Sequence, residues 1–216
     1  MKYIDIENWN RKKHYEFFKG FDYPQFNLCA NINFTETLKF VKDNELSVFK
    51  VVLYAVIKAA NEIEQFRYRI RGEQVVLHDI IHPGCSIMGE DELFCNCLVD
   101  YEEDINKFFP IVADAMVYSK ENNIIIEQQN NRDDLLYLSC LPWISFTGLV
   151  HPVHFSPADS IPRITWGKYF NDNNQIKMPF SVQVHHSLMD GVHIAKYYSL
   201  LEKIFSNPQE YFKINS

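Results

Sequence analysis

Apolar and polar residues alternate over many short stretches of the chain, and this period-two pattern predicts β-strands with one buried face. The stretches are Tyr3–Ile6, Phe26–Phe34, Phe66–Ile70, Gln74–His78, Cys85–Met88, Leu93–Asp100, Leu135–Cys140, Ser145–Val150, Ile164–Lys168 and Lys177–Val184. Turn or loop residues separate several of them, at Arg71–Glu73, Gly89–Asp91, Gln128–Asp134 and Asn171–Asn174. Within Leu93–Asp100 the alternation places Cys95 and Cys97 on one face. The second half of the chain is therefore predicted to be mostly strand.

Longer segments with apolar residues three or four positions apart predict helices. They are Trp9–Phe18, Thr35–Val41, the run from Ser47 to about Gln65, Asp104–Ser119, and a final helix after Asp190. Asn8 and Ser47 are candidate N-caps. A few long helices mixed with many strands predict a two-layer α/β or α+β sandwich.

Length and composition fit a single domain covering 1–216. A chain of 216 residues can bury a core without disulfides or metals, and 47% hydrophobic with 23% charged residues is typical of a globular protein. The aromatic content of 15% predicts a core or a pocket rich in rings. Only 7 glycines are present, which argues against a glycine-rich phosphate loop.

The charge balance and the cysteines exclude several classes of partner. A net charge of -7 without a basic block argues against nucleic-acid binding. The 5 cysteines are odd in number and lack a CxxC pair, so neither a disulfide framework nor a zinc ribbon is predicted. Val48–Ala60 is too short and too charged to span a membrane. With no signal peptide at the N-terminus, a cytoplasmic location is expected.

The segment His185-His186-Ser187-Leu188-Met189-Asp190-Gly191 carries the strongest chemical signal. It joins an apolar strand to the last helix, a place where rigid elements can hold a histidine for proton transfer near neutral pH. A buried histidine pair with a capping aspartate is the alternative. The addition of His193 suggests a metal site, but the spacing matches no standard zinc pattern, so no metal is expected.

This segment resembles the HHxxxDG signature of the CoA-dependent acyltransferase superfamily, and four more segments resemble the chloramphenicol acetyltransferases within it. They are Asn8–Tyr15 at the start, Phe66-Arg67 with the Glu73–Asp79 strand, Ser139–Trp143 (SCLPW) and Thr165–Tyr169 (TWGKY). The resemblance covers nearly the whole chain. It implies a mixed sheet with helices on one face, acetyl-CoA as cosubstrate, and a homotrimer with active sites between subunits.

The resemblance also implies a role for each matching residue. His186 is the general base, oriented by a contact between its Nδ1 and its own carbonyl, and Ser139 stabilises the oxyanion. Thr165 supports the same charge through water. Asp190 pairs with Arg11 to hold the shape of the site. Seen without the resemblance, the two hydroxyls would be ordinary strand residues.

Substrate contacts are expected from Phe18, Phe26 and Phe94, from the acceptor wall at Leu149 and His151, and from Tyr169 near the CoA channel. His151 places a titratable group where an apolar contact is expected. The resemblance implies 3-O-acetylation of chloramphenicol, a small-molecule substrate. Two alternatives stay open: the same chemistry on another small hydroxyl compound, and a non-catalytic drug- or CoA-binding relative.

Overall fold

A computed structural model describes residues 1–89, 92–125, 132–154 and 159–215. Its strands are β1 (Lys2–Tyr3), β2 (Gln25–Asn33), β3 (Tyr68–Arg71), β4 (Gln74–Leu77), β5 (His82–Met88), β6 (Phe94–Leu98), β7 (Leu135–Leu141), β8 (Arg163–Gly167), β9 (Phe170–Asp172) and β10 (Gln175–His185). Its helices are α1 (Lys12–Lys19), α2 (Thr35–Asp43), α3 (Val48–Asn61), α4 (Ile105–Glu121), α5 (Gly191–Ser206) and α6 (Pro208–Tyr211).

Seven strands form the main sheet, in the order β2-β10-β8-β7-β5-β6 with β9 paired to β10. β7 runs parallel to β5 and β8, and the other pairs are antiparallel. The expected mixed sheet in an α+β sandwich is therefore confirmed. A separate sheet of three short strands has the order β1-β4-β3.

One face of the main sheet is apolar and carries the helices. Neighbouring strands place Cys85, Leu138, Ile164 and Val182 side by side across this face, and all are buried. Phe49 of α3 packs on Trp166 with ring centroids 5.8 Å apart, and aromatic packing continues between α5 and β10. Burial of such a face is the main favourable term in folding.

The local signals for helix ends explain most of the boundaries. The Ser47 hydroxyl accepts a hydrogen bond from the Lys50 amide and starts α3, and the Asp104 carboxylate does the same at the start of α4. The N-terminal helix begins later than predicted, because a short 3-10 turn over Ile6–Asn8 precedes it. Asn8 is therefore not its cap.

The strand predicted at Ser145–Val150 is wrong: this segment is irregular. It lies against the sheet without pairing as a strand, and its backbone is held by separate hydrogen bonds to a side chain and to the backbone end of β8. The Leu149 carbonyl accepts a hydrogen bond from Asn27, and the Ile144 carbonyl accepts one from the Lys168 amide. A Cβ at Gly167 would lie 2.8 Å from the Ile144 oxygen, so glycine permits this close approach.

Two other predicted turns fall partly outside the described residues, Gly89–Asp91 and Gln128–Asp134. Among the described residues, none of the helices combines the length and the apolar character that crossing a bilayer requires.

Candidate active site

The face of the main sheet opposite the helices carries a row of polar residues. The strand pairing places these residues side by side across five adjacent strands. From β6 to β10 in sheet order they are Asn96, Ser86, Ser139, Thr165 and Ser181. Side chains two residues apart in a strand share a face, so Gln183 and Asn27 extend this row at β10 and β2. Polar residues at these alternate positions of otherwise apolar strands indicate a functional face, because buried polar groups are costly unless they have partners.

The segment 142–154, which follows β7, covers part of this polar face. Gln183 is buried and clamps His151 through both of its backbone groups. Its Oε1 accepts from the His151 amide at 2.8 Å, and its Nε2 donates to the His151 carbonyl at 3.3 Å. The imidazole Nε2 of His151 lies 3.0 Å from the Thr165 hydroxyl. His151 is therefore held at a fixed position over the polar face.

A cavity of about 490 Å³ lies beside this segment. Ser139, His151 and Phe94 line it together with Ser86, Asn96, Tyr137 and Arg163, so three residues predicted from the sequence meet here. Thr165 is fully buried and is not on the cavity wall. Its hydroxyl lies behind the His151 ring.

His186 lies elsewhere, in the tight turn between β10 and α5. Its amide donates to the Pro24 carbonyl at 2.8 Å, which ties this turn to the start of β2. Its ring stacks on Phe18 with centroids 3.9 Å apart and an interplanar angle of 8°, and Phe26 contacts the ring at 4.4 Å. Phe18 and Phe26 thus hold the imidazole in place, while the His186 side chain stays 31% exposed.

The hydrogen bonds of His186 determine its tautomer. Nδ1 lies 3.1 Å from the Met189 carbonyl, which can only accept, so Nδ1 carries the proton in the neutral ring. Nε2 then has a free lone pair and can act as a base. The expected contact between Nδ1 and the residue's own carbonyl is not observed; that carbonyl accepts a hydrogen bond from Arg11 at 2.7 Å.

Arg11 and Asp190 meet as expected, in a two-pronged ion pair. The guanidinium also donates to the carbonyls of His186 and Ser187, so one side chain holds the whole turn. This cation lowers the pKa of the Asp190 carboxyl below its usual value. Asp190 Oδ1 lies 3.3 Å from His186 Nδ1, so the carboxylate also faces the imidazole.

Substitution of Asp190 by asparagine is expected to lower activity mainly through loss of structure. Arg11 would then face an amide in a largely buried site, at a cost of about 2 kcal/mol, less than for a fully buried pair because Asp190 is partly exposed. Thermal denaturation should show a lower Tm than for Asp43→Asn, which removes only an exposed pair with Lys39. An unchanged Tm with lost activity would contradict this.

His185, the other motif histidine, is buried at 2% exposure and has a structural position. Its Nδ1 accepts from the Ser187 amide at 3.2 Å. Burial lowers the pKa of His185 to about 4, so this imidazole is neutral at pH 7. It therefore shapes the turn and is unsuited to exchange protons during turnover.

The buried His185 predicts that acid destabilises the fold. Because its pKa is about 4 when folded and about 6.5 when unfolded, the unfolded state binds more protons between these pH values, and stability falls as pH drops. The loss attributable to His185 approaches about 3 kcal/mol near pH 4. Urea unfolding of His185→Asn should show a shallower decline from pH 6.5 to 4. Parallel curves would contradict the assignment.

Within the chain, the structure does not bring His186 to Ser139 or Thr165. Thr165 pairs with Ser181, and the last residue of β10 is His185, so the strand advances by roughly 13 Å from that pair before the motif turn begins. Tyr169 is 38% exposed beyond β8, near Phe34. Apart from Tyr169, the predicted residues therefore form two groups, here called half-sites, one around His186 and one around the cavity.

Gln183 and Asn27 were not predicted from the sequence, although they anchor the segment that carries His151. The signal was present as polar residues at alternate positions of two buried strands. Among the described ranges of the chain, no group of three or more metal-binding side chains lies together.

Comparison with known sequences gives a consistent result. Residues 1–202 match the family profile described as "Chloramphenicol acetyltransferase". A chloramphenicol acetyltransferase of Clostridium perfringens is 29% identical over 208 residues, 94% of each chain. The chloramphenicol acetyltransferase 3 of Escherichia coli is 27% identical, over 93% of this chain and 95% of the relative.

Solved structures agree with the sequence matches. A structure named "chloramphenicol acetyltransferase" superposes with a TM-score of 0.84 at 30% identity, covering 94% of this chain and 99% of that one. A dihydrolipoamide acetyltransferase of Azotobacter vinelandii superposes with a TM-score of 0.68 at 13% identity, covering 87% of this chain and 84% of that one. The second match supports the fold alone.

Proposed function

Because the chain belongs to the chloramphenicol acetyltransferase family, we propose that it is an acyltransferase that moves the acetyl group of acetyl-CoA to the 3-hydroxyl of chloramphenicol. The observation that carries this proposal is the His186 ring, with Nδ1 bonded to the Met189 carbonyl and Nε2 free to act as a base. A cytoplasmic location belongs to the same proposal, since acetyl-CoA is an intracellular metabolite.

In the proposed reaction, His186 Nε2 takes the proton of the acceptor hydroxyl as that oxygen attacks the thioester carbonyl. The Ser139 hydroxyl donates to the oxyanion of the tetrahedral intermediate. When the carbon–sulfur bond breaks, the imidazolium returns the proton to the leaving thiolate, and the products are the acetyl ester and CoA. Asp190, 3.3 Å from Nδ1, stabilises the cationic ring while it exists.

A homotrimer is part of the proposal, because one protomer holds the two half-sites apart. A head-to-tail interface would place the His186 half-site of one copy against the Ser139 half-site of the next. Large apolar residues are exposed near both halves, which supports burial there by another copy: Phe17, Phe21 and Tyr23 precede β2, and Met88, Leu93 and Phe94 lie near the cavity.

The remaining site assignments follow from this arrangement. Phe18 and Phe26 lie against His186, and Phe94 and His151 line the cavity, which supports their proposed contacts with a substrate bound between subunits. Leu149, whose carbonyl is bonded to Asn27, belongs to the same wall as His151. Tyr169 remains a proposed contact of acetyl-CoA.

The test is release of free CoA thiol from acetyl-CoA with chloramphenicol, with the acetyl ester identified by mass spectrometry. The matched control is the analogue in which fluorine replaces the 3-hydroxyl, which offers no nucleophile at that position. Ester formation with chloramphenicol and none with the analogue is expected. Tight binding of chloramphenicol without an ester would overturn the proposal in favour of a binding protein.

A further inference from the structure

Thr165 and His151 form a hydrogen-bonded pair in the cavity region that the mechanism above leaves unused. Thr165 lies next to Ser139 in the parallel register of β7 and β8, on the same face of the sheet. Yet its hydroxyl is buried against the His151 ring, and it is His151 that lines the cavity with Ser139. The Thr165 hydroxyl can therefore act on a bound molecule only through the ring of His151.

The bond between them determines which nitrogen of His151 carries the proton. Among the described residues, the only partner of the Thr165 hydroxyl is His151 Nε2, at 3.0 Å. If Nε2 carried the proton, the buried Thr165 proton would have no acceptor, which is unfavourable. Thr165 therefore donates to Nε2, and the neutral ring carries its proton on Nδ1.

The Nδ1–H group of His151 is left available to a ligand. It has no hydrogen-bond partner among the described residues, and His151 is one of the residues that line the cavity. Burial and the nearby Arg163 lower the pKa of His151 to about 4, so the ring stays neutral near pH 7 and the tautomer is maintained. The Gln183 clamp on both backbone groups fixes the position of the donor.

We propose that His151 is a second oxyanion donor: its Nδ1–H, oriented by Thr165, binds the tetrahedral intermediate beside the Ser139 hydroxyl. Thr165 is then a positioning residue, which acts through His151. This inference rests on the proposed acetyl transfer, and it replaces the water-mediated role expected for Thr165. A fixed neutral donor of this kind stabilises developing charge without reorganisation.

Three substitutions of His151 distinguish this role from a structural one. Asparagine places an N–H near the position of Nδ1 and loses the Thr165 contact, whereas glutamine reaches towards Thr165 and loses the Nδ1 donor. We expect His151→Leu and His151→Gln to lower kcat by about 100-fold with KM values changed little, and His151→Asn to stay within about tenfold of wild type. A structural role through Thr165 predicts the opposite order, and that order would overturn the proposal.

Thr165→Val provides an independent comparison. In the wild-type background it frees the His151 ring and should lower kcat by about tenfold, whereas in His151→Leu it should add almost nothing. Full additivity would contradict action through His151. A rise in KM for chloramphenicol with unchanged kcat in His151→Leu would also overturn the proposal, since it would place the donor on the acceptor instead of the oxyanion.

The tautomer is measurable without catalysis. Nitrogen-15 spectra of the wild-type protein at pH 7, with His151 assigned by its missing signals in His151→Asn, should show protonated Nδ1 and unprotonated Nε2. The reverse tautomer would overturn the inference even if all variants fold poorly. If the wild-type enzyme transfers no acetyl group, the proposed function fails and the inference fails with it. If wild type is active and His151→Leu retains its kcat, only the inference fails.

Discussion

Replacing His186 with alanine is expected to lower the rate of acetyl transfer by about 1,000-fold or more, because the acceptor hydroxyl then lacks a base. The other titratable side chains of the motif have different contacts. His185 is buried and bonded through Nδ1 to a backbone amide, and Asp190 is held by Arg11. The measurement is CoA thiol release with chloramphenicol at saturating acetyl-CoA.

His186→Asn is the matched control, because it separates the loss of a base from the loss of the side chain's contacts in the turn. Its side-chain amide can still donate to the Met189 carbonyl and so keep the turn, but it has no basic nitrogen. Both variants should be equally inactive, with a Tm close to that of wild type. An asparagine variant that retains most of the activity would mean that His186 orients other groups and does not move the proton.

Most of the fold was predictable because its signals are local. The alternation in Lys177–Val184 corresponds to β10, and the cap at Ser47 starts α3 where the hydroxyl suggests. Sheet order could not be obtained this way, since the pairing of β7 with both β5 and β8 depends on contacts between distant segments. The alternation in Ser145–Val150 wrongly predicted a strand. This segment does not pair with a neighbouring strand, and its Leu149 carbonyl is bonded to the Asn27 side chain instead.

The site was predictable as far as its residue types match a known motif. The sequence predicts a contact between Arg11 and Asp190, and the structure contains this ion pair. The role of His186 as a base stays a prediction. The sequence does not reveal which carbonyl orients Nδ1, since Met189 lies within the same turn and competes with the residue's own oxygen. Nor does it reveal that His151 covers Thr165, because that contact needs the clamp from Gln183, which lies 32 positions further along the chain.

The separation of the half-sites leads to a strong prediction for mixed oligomers. His186→Ala and Ser139→Ala each damage a different half-site, and each homotrimer should be nearly inactive. In a head-to-tail trimer containing both chains, one interface joins an intact His186 to an intact Ser139. Such trimers should recover about one third of the wild-type activity, since one site of the three is complete.

The experiment coexpresses the two variants with different affinity tags and purifies the complexes that carry both. Mixing the separately purified variants, without subunit exchange, is the control and should give no recovery. If His186 and Ser139 instead served one site within a protomer, every site in the mixed complexes would carry a defect and activity would stay at the level of the single variants. Activity is therefore recovered only if a second copy of the chain supplies the Ser139 that lies roughly 13 Å along the sheet from the His186 of the first copy.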